Sequence, residues 1–180
     1  MPSPVASTAS ARGILSRFRR NRSASAAVEF ALVAPVFFAL LFAIIETAIM
    51  FFAGQLLESV TQSSARMILT GQAQNASYTQ SQFQTYVCNQ IPAILNCNNV
   101  YVDVESYSSF STINIASQID ASGNFINNMQ YNPGGPSDIV VVSLCYPWQL
   151  YVTGLGYNIS NMTGNKRLLM AAAAFRNEPY

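Results

Sequence analysis

The feature that most constrains this chain is a long apolar run near its N-terminus. Residues 30–45 include no ionisable side chain, and Glu29 and Glu46 lie at the two ends of the run. With its apolar flanks the run covers about residues 28–53, and at ~1.5 Å per residue a helix of that length measures roughly 40 Å. The hydrocarbon layer of a membrane is about 30 Å thick. The sequence therefore predicts a tilted transmembrane helix, with Glu46 at the outer interface.

The arginines of the N-terminal segment predict the orientation of this helix. Five of the nine Lys and Arg residues precede the apolar run: Arg12, Arg17, Arg19, Arg20 and Arg22. Basic residues beside a membrane span are retained on the cytoplasmic side. We therefore expect residues 1–24 to form a basic cytoplasmic leader and the chain beyond about residue 55 to lie outside the cytoplasm. A cleaved secretory signal fits less well, because the run is longer than a signal core and no A-x-A-like site with a break in helicity follows it. A plain single-span anchor stays an open alternative.

Composition argues against an enzyme. The chain has no histidine, which removes the usual general base at neutral pH and the commonest metal ligand. Three cysteines without histidine do not make a zinc site, and Lys166-Arg167 is too small a basic patch to bind nucleic acid. The spacing of the acids of residues 71–180, before the C-terminal tail, brings no two of them together: Asp103, Glu105, Asp120 and Asp138. We therefore expect no catalytic residue, metal, cofactor, small-molecule substrate or nucleic-acid partner.

Hydrophobic periodicity predicts an α+β domain over residues 71–180, beyond the span. The helical spacing stops at Gly71, so that one long helix covers residues 25–70. Residues 72–81 are rich in Gln, Asn and Ser and are predicted to be a linker, and the polar stretch 107–136 is predicted to form exposed loops. One short helix, interrupted at Pro92, and three strands are expected at residues 83–95, 100–105, 138–146 and 167–176. The fold class is thus a long N-terminal helix followed by a small antiparallel sheet with a short helix across one face.

The three cysteines all lie in this outer domain, where oxidation is permitted. Cys88 and Cys97 are nine residues apart, and we expect a disulfide between them. The bridge would join the short helix to the first strand and stabilise a small domain by about 2–4 kcal/mol. Cys145 lies in the predicted central apolar strand, where a buried unreactive thiol is expected and an intermolecular bridge is the alternative.

The beginning of the long helix carries a recognisable pattern. Residues 24–30 read ASAAVEF, and residues 31–35 read ALVAP. This pattern resembles the N-terminal signature of TadE-like pseudopilins, the minor pilins of the Tad (Flp) type IVc pilus system. Two further stretches, residues 138–148 and 174–180, are similar to the strand, aromatic turn and C-terminal tail of the same family. The resemblance implies a pilin-like fold in which the long helix forms the spine.

The resemblance also implies a processing site and an assembly site. In that family a prepilin peptidase cuts on the cytoplasmic side, which puts the scissile bond between Ala24 and Ser25 and makes Glu29 the fifth residue of the mature chain. Ala24 stands where the family usually has glycine. Ser25 would then carry a free amine about one helical turn from the Glu29-Phe30 pair. The ammonium of a neighbouring subunit would pair with Glu29 and set the axial register between subunits, because a buried charge without a partner costs several kcal/mol.

The function implied by the resemblance is assembly or initiation of a pilus used in cell adhesion. The implied partners are a prepilin peptidase, other pilin and pseudopilin subunits and the bacterial inner membrane. The resemblance implies that the protein crosses that membrane once, with its N-terminus in the cytoplasm and its C-terminal domain in the periplasm. Whether the protein stays in the membrane or enters the fibre is left open. The rival hypothesis is an uncleaved single-span envelope protein whose periplasmic domain binds a ligand or partner.

Overall fold

The fold is α+β, as the sequence predicts, in a computed structural model that describes residues 22–152 and 157–180, with the backbone alone for residues 22–25. A long helix is followed by two short helices and a three-stranded antiparallel sheet. The helices are α1 (Arg22–Leu69), α2 (Gln72–Asn75) and α3 (Gln80–Gln90), and the strands are β1 (Tyr101–Tyr107), β2 (Ile139–Gln149) and β3 (Lys166–Arg176). Residues 1–21 of the predicted leader lie outside the described residues.

Helix α1 is continuous through Pro35 and ends where the sequence predicts. Gly71 adopts a left-handed conformation with φ of 71°, and its N–H donates to the carbonyl oxygen of Ile68 at 2.9 Å. A Cβ at this position would overlap the ring of Tyr180. Glycine is therefore required there both for the backbone angle and for the space that the C-terminal tyrosine occupies.

The chain divides into two compact units, Met1–Ile44 and Ile45–Tyr180. In the first unit the described part of α1 exposes nearly all of its apolar side chains, including Phe30 at 68% and Leu32 at 72%. Among the described residues, one helix is long and apolar enough to cross a membrane, and it is this one.

The core of the second unit lies between one face of α1 and the inner face of the sheet. The buried residues of α1 recur every three or four positions, which is the spacing of a single helix face. They are Met50, Ala53, Leu57, Val60, Thr61, Ser64, Ala65 and Ile68. On the sheet, Val104, Val142 and Ala173 are paired across the three strands and belong to the same hydrophobic cluster. This packing joins the second half of α1 to the outer domain.

Strand β2 is the central strand, as its apolar sequence predicts, but it is longer than expected. The pairing with β3 continues through Tyr146↔Leu169 to Gln149↔Lys166, so the aromatic turn predicted at residues 146–148 is wrong. Strand β1 begins at Tyr101, which pairs with Cys145, so β1 does not extend alongside Pro147. Successive residues of β2 bond alternately to β3 and to β1, and Pro147 faces the side of β1. The missing N–H of Pro147 therefore interrupts no bond of the ladder.

The polar stretch between β1 and β2 forms mostly exposed loops, as the sequence predicts, and part of it is also bonded to β1. Val104 donates its N–H to the carbonyl of Gln130 at 2.9 Å and accepts the N–H of Asn132 at 2.7 Å. The ring of Phe125 packs against that of Tyr101 at an interplanar angle of 44°, with centroids 4.4 Å apart. This segment thus covers the free edge of β1 and the outer face of the sheet.

The predicted linker at residues 72–81 is also packed. Helix α2 lies within it, and Ala73 is buried in the core. Thr79 begins α3 through a capping box: its hydroxyl accepts the N–H of Gln82 at 3.3 Å, and its own N–H donates to the Gln82 side chain at 2.8 Å. Side-chain capping of this kind compensates for the low hydrophobicity of the segment.

The cysteines are arranged as the sequence predicts. Cys88 and Cys97 form a disulfide with 5.5 Å between their Cα atoms, and Cys145 is a free, buried thiol in β2. Burial, reinforced by the negative charge of Asp103, raises the pKa of the Cys145 thiol to about 12. The thiol is thus kept protonated and unreactive in the folded protein.

Reduction of the disulfide should lower the stability of the outer domain. A bridge that closes a nine-residue separation restricts the unfolded chain by about 2–3 kcal/mol. We expect the double substitution Cys88→Ser/Cys97→Ser to lower the melting temperature and to remove its sensitivity to dithiothreitol. Cys145→Ala is the matched control and should keep that sensitivity. A wild-type melting temperature that does not respond to dithiothreitol would contradict a stabilising role for the bridge.

Candidate functional site

The predicted processing and assembly residues all lie at the beginning of α1. The helix begins at Arg22, so the bond between Ala24 and Ser25 falls within its first turn. Ser25 and Glu29 are four residues apart, which corresponds to a rise of ~6 Å along one helix face. The helix therefore brings the backbone nitrogen of Ser25 and Glu29 to the same side.

Glu29 and Phe30 are both exposed on the surface of α1. The exposed side chains that follow are almost all aliphatic or aromatic, and Phe37, Phe38 and Phe42 form a run of neighbouring rings with centroids 5.5 and 6.4 Å apart. Between residues 26 and 45, Glu29 is the one ionisable residue. The helix thus presents an apolar surface with a carboxylate near its N-terminal end, a surface suited to lipid or to other apolar helices.

Glu46 has a structural role that sequence reasoning missed. Its Oε1 atom accepts the backbone N–H of Tyr151 at 2.5 Å, and its Oε2 atom accepts that of Val152 at 3.0 Å. The hydroxyl of Thr47, one residue on, is hydrogen-bonded to that of Tyr157. Glu46 and Thr47 thus bind two parts of the connection between β2 and β3 to α1: residues 151–152 and Tyr157.

Hydrogen bonds to a carboxylate are stronger than those between neutral groups, at about 1.5–3 kcal/mol each. Both oxygens of Glu46 are used in this way. The carboxylate therefore satisfies two backbone donors just after the end of β2, where no strand partner does so. No local pattern predicts this contact, because the partners are 105 and 106 positions apart in the chain.

Neutralising Glu46 should loosen the segment that follows β2. In Glu46→Gln one oxygen becomes an amide donor and the charge is lost, so we expect amide hydrogen exchange at Tyr151 and Val152 to accelerate by about tenfold or more. Glu58→Gln is the matched control, because Glu58 lies on the same helix and accepts a hydrogen bond from the Gln62 side chain at 2.9 Å. Equal exchange in wild type and Glu46→Gln would show that the carboxylate does not hold this segment.

Comparison with known proteins identifies the family signature of α1. Residues 24–66 match the family of TadE-like proteins. No significant match was found among curated proteins or among solved structures.

The matched region coincides with α1 from the predicted processing site to Arg66, and it includes Glu29 and Phe30. It ends before the outer domain, so the likeness of residues 138–148 and 174–180 to the same family stays a prediction. The resemblance deduced from the ASAAVEF pattern is confirmed for its own segment: residues 24–66 of this chain carry the signature of the TadE-like proteins, a family of Tad pilus components.

Proposed function

We propose that this protein is a TadE-like minor pilin of the Tad (Flp) pilus, that a prepilin peptidase removes its leader, and that it acts in assembly or initiation of the fibre. The observation that carries the proposal is the coincidence of the TadE-like match with a helix whose residues 26–45 expose an apolar surface and a single carboxylate, Glu29. The protein does this work through packing of α1, with no chemistry of its own.

The exposed apolar side chains of α1 must be shielded from water by lipid or by other protein subunits. Exposure of many large side chains along one segment is typical of a membrane span or an interface between subunits. A helix in the inner membrane and a helix in the centre of a fibre meet the same requirement. Transfer from lipid to fibre therefore changes the neighbours of α1 without exposing its apolar surface to water.

Glu29 is the group that would set the axial position of α1 relative to a neighbouring subunit. An ionised carboxylate among apolar helices is costly unless a cation lies beside it. Cleavage after Ala24 creates such a cation, the ammonium of Ser25. Pairing between Glu29 of one subunit and the Ser25 ammonium of the next favours one axial offset over others, because any other offset separates the two charges.

The outer domain moves with the second half of α1. Leu57 and Ile68 are fully buried against the sheet and its helices, so the domain and residues 45–69 form one packed unit. We propose that this unit lies in the periplasm and presents its surfaces to other subunits of the Tad machinery.

Cleavage is the direct test of the proposal. Co-expression with the prepilin peptidase of its host should yield a mature chain that begins at Ser25, as read by N-terminal sequencing and intact mass. Ala24→Gly restores the residue usual in the family and should be cleaved at least as fast, whereas a bulky residue in Ala24→Leu should block cleavage. A chain that keeps residues 1–24 beside an active peptidase, in wild type and Ala24→Gly alike, would favour the uncleaved envelope protein.

Neutralising Glu29 tests the register role separately. Glu29→Gln should insert into the membrane and be cleaved as wild type is, yet reduce the number of assembled fibres by tenfold or more, because the amide has no charge to pair with an ammonium. Fibres are counted by electron microscopy and by shearing assays. Glu58→Gln, outside the apolar segment, is the matched control and should assemble normally. Normal assembly of Glu29→Gln would exclude a register role for this carboxylate.

A further inference from the structure

The outer face of the sheet contains a small cavity, lined by acidic, amide and hydroxyl side chains and by four apolar residues, that the proposed pilin function does not use. Asp103 and Glu105 are two positions apart on β1, so their side chains lie on the same face of the sheet. The buried Val102 and Val104 lie on the opposite face. Both carboxylates line a cavity of about 30 Å³, together with Asn114, Gln118, Asn128 and Ser143. That volume holds one or two water-sized species. The expectation that no two acids come together is therefore wrong for Asp103 and Glu105, and their i, i+2 spacing on a strand was the signal.

Gln118 contributes a buried oxygen without a partner. The side chain is 6% exposed, and its Oε1 atom accepts no hydrogen bond from any described residue. The backbone keeps the residue in place, because the Gln118 carbonyl accepts the N–H of Ile126 at 2.9 Å. An amide oxygen buried without a partner costs about 1–3 kcal/mol. Gln118 is one of the residues that line this cavity, so a positive or hydrogen-donating occupant there would supply the partner that this oxygen lacks.

The two carboxylates add negative charge to the wall of this cavity. Asp103 Oδ1 accepts the N–H of Gln130 at 2.7 Å, and Glu105 Oε2 accepts the hydroxyl of Tyr107 at 2.5 Å. Within the described part of the chain, no donor contacts the second oxygen of either carboxylate. Both groups thus retain one oxygen for a ligand, in a partly buried site that favours positive charge.

We propose that this cavity binds a calcium ion held by Asp103, Glu105 and the Oε1 atom of Gln118. Carboxylate and amide oxygens are the ligands that Ca²⁺ takes, in sets of six to eight, and Asn114, Asn128 and water can complete the shell. Mg²⁺ keeps several of its own waters in octahedral geometry, for which a cavity of this size has little room. The absence of histidine and of a thiolate at the cavity disfavours zinc.

The ion would connect β1 to the segment that covers it. Asp103 and Glu105 belong to the strand, whereas Gln118 and Asn128 belong to the segment between β1 and β2. Calcium would thereby fasten this segment to the outer face of the sheet. With two carboxylates and otherwise neutral ligands, we expect a dissociation constant of roughly 0.1–1 mM, the range of extracellular calcium modules.

The test uses the full chain in detergent micelles after removal of metal with EDTA. Tb³⁺ replaces Ca²⁺ in oxygen sites, and the ring of Tyr107 lines the same cavity, so excitation of tyrosine should produce Tb³⁺ luminescence. We expect Ca²⁺ to displace this signal with a midpoint below about 1 mM and to raise the melting temperature.

Three variants test whether the ion binds at this cavity. Asp103→Asn keeps an acceptor for the Gln130 N–H but loses the charge, and should weaken Ca²⁺ binding by at least tenfold. Gln118→Glu adds a third carboxylate, and should lower the melting temperature without metal and bind Ca²⁺ at least tenfold more tightly. Glu58→Gln removes an acid elsewhere and should bind as wild type does.

Two outcomes would overturn the proposal. One is Tb³⁺ luminescence that Ca²⁺ does not displace at about 10 mM, ten times the highest expected dissociation constant. The other is Ca²⁺ binding that is equal in wild type, Asp103→Asn and Gln118→Glu, which would place the ion elsewhere. None of these outcomes depends on cleavage at Ala24 or on fibre assembly, so this proposal and the pilin proposal can fail independently.

Discussion

The packing of one face of α1 against the inner face of the sheet is the interaction on which the outer domain depends. Ala53 and Leu57 are fully buried there, and they join the same cluster as Val142 of the central strand. A sheet with one apolar face must bury that face against another layer. The second half of α1 supplies the missing layer, so the helix that carries the TadE-like signature is also a structural part of the domain.

The outer face of the sheet is covered in a different way. Val141, Ser143 and Cys145 of β2 are buried although α1 lies on the opposite face. Their cover is the segment between β1 and β2, which is tied to the edge of β1 through the backbone of Val104. Polar contacts rather than a second hydrophobic core hold this layer, and for this reason unpartnered polar atoms such as Gln118 Oε1 are found there.

Local sequence patterns predicted the elements that have strong periodicity. The end of α1 at Gly71, the central position of β2 and the disulfide between Cys88 and Cys97 all follow from spacing and residue type. Prediction was poorest where polar residues dominate, because polarity is typical both of exposed loops and of ordered segments held by hydrogen bonds. Residues 72–81 and the part of the segment after β1 that is bonded to Val104 belong to the second kind.

The sequence by itself determined that one helix is apolar enough to cross a membrane, that its first residues are TadE-like, and that a small α+β domain follows. These features are local, so hydrophobic spacing along the chain is sufficient to predict them. The tertiary structure alone decided that Glu46 holds Tyr151 and that Gln118 joins Asp103 at one cavity. Such contacts connect residues that are distant in the chain, and only the folding of β1, β2 and their connections around α1 brings them together.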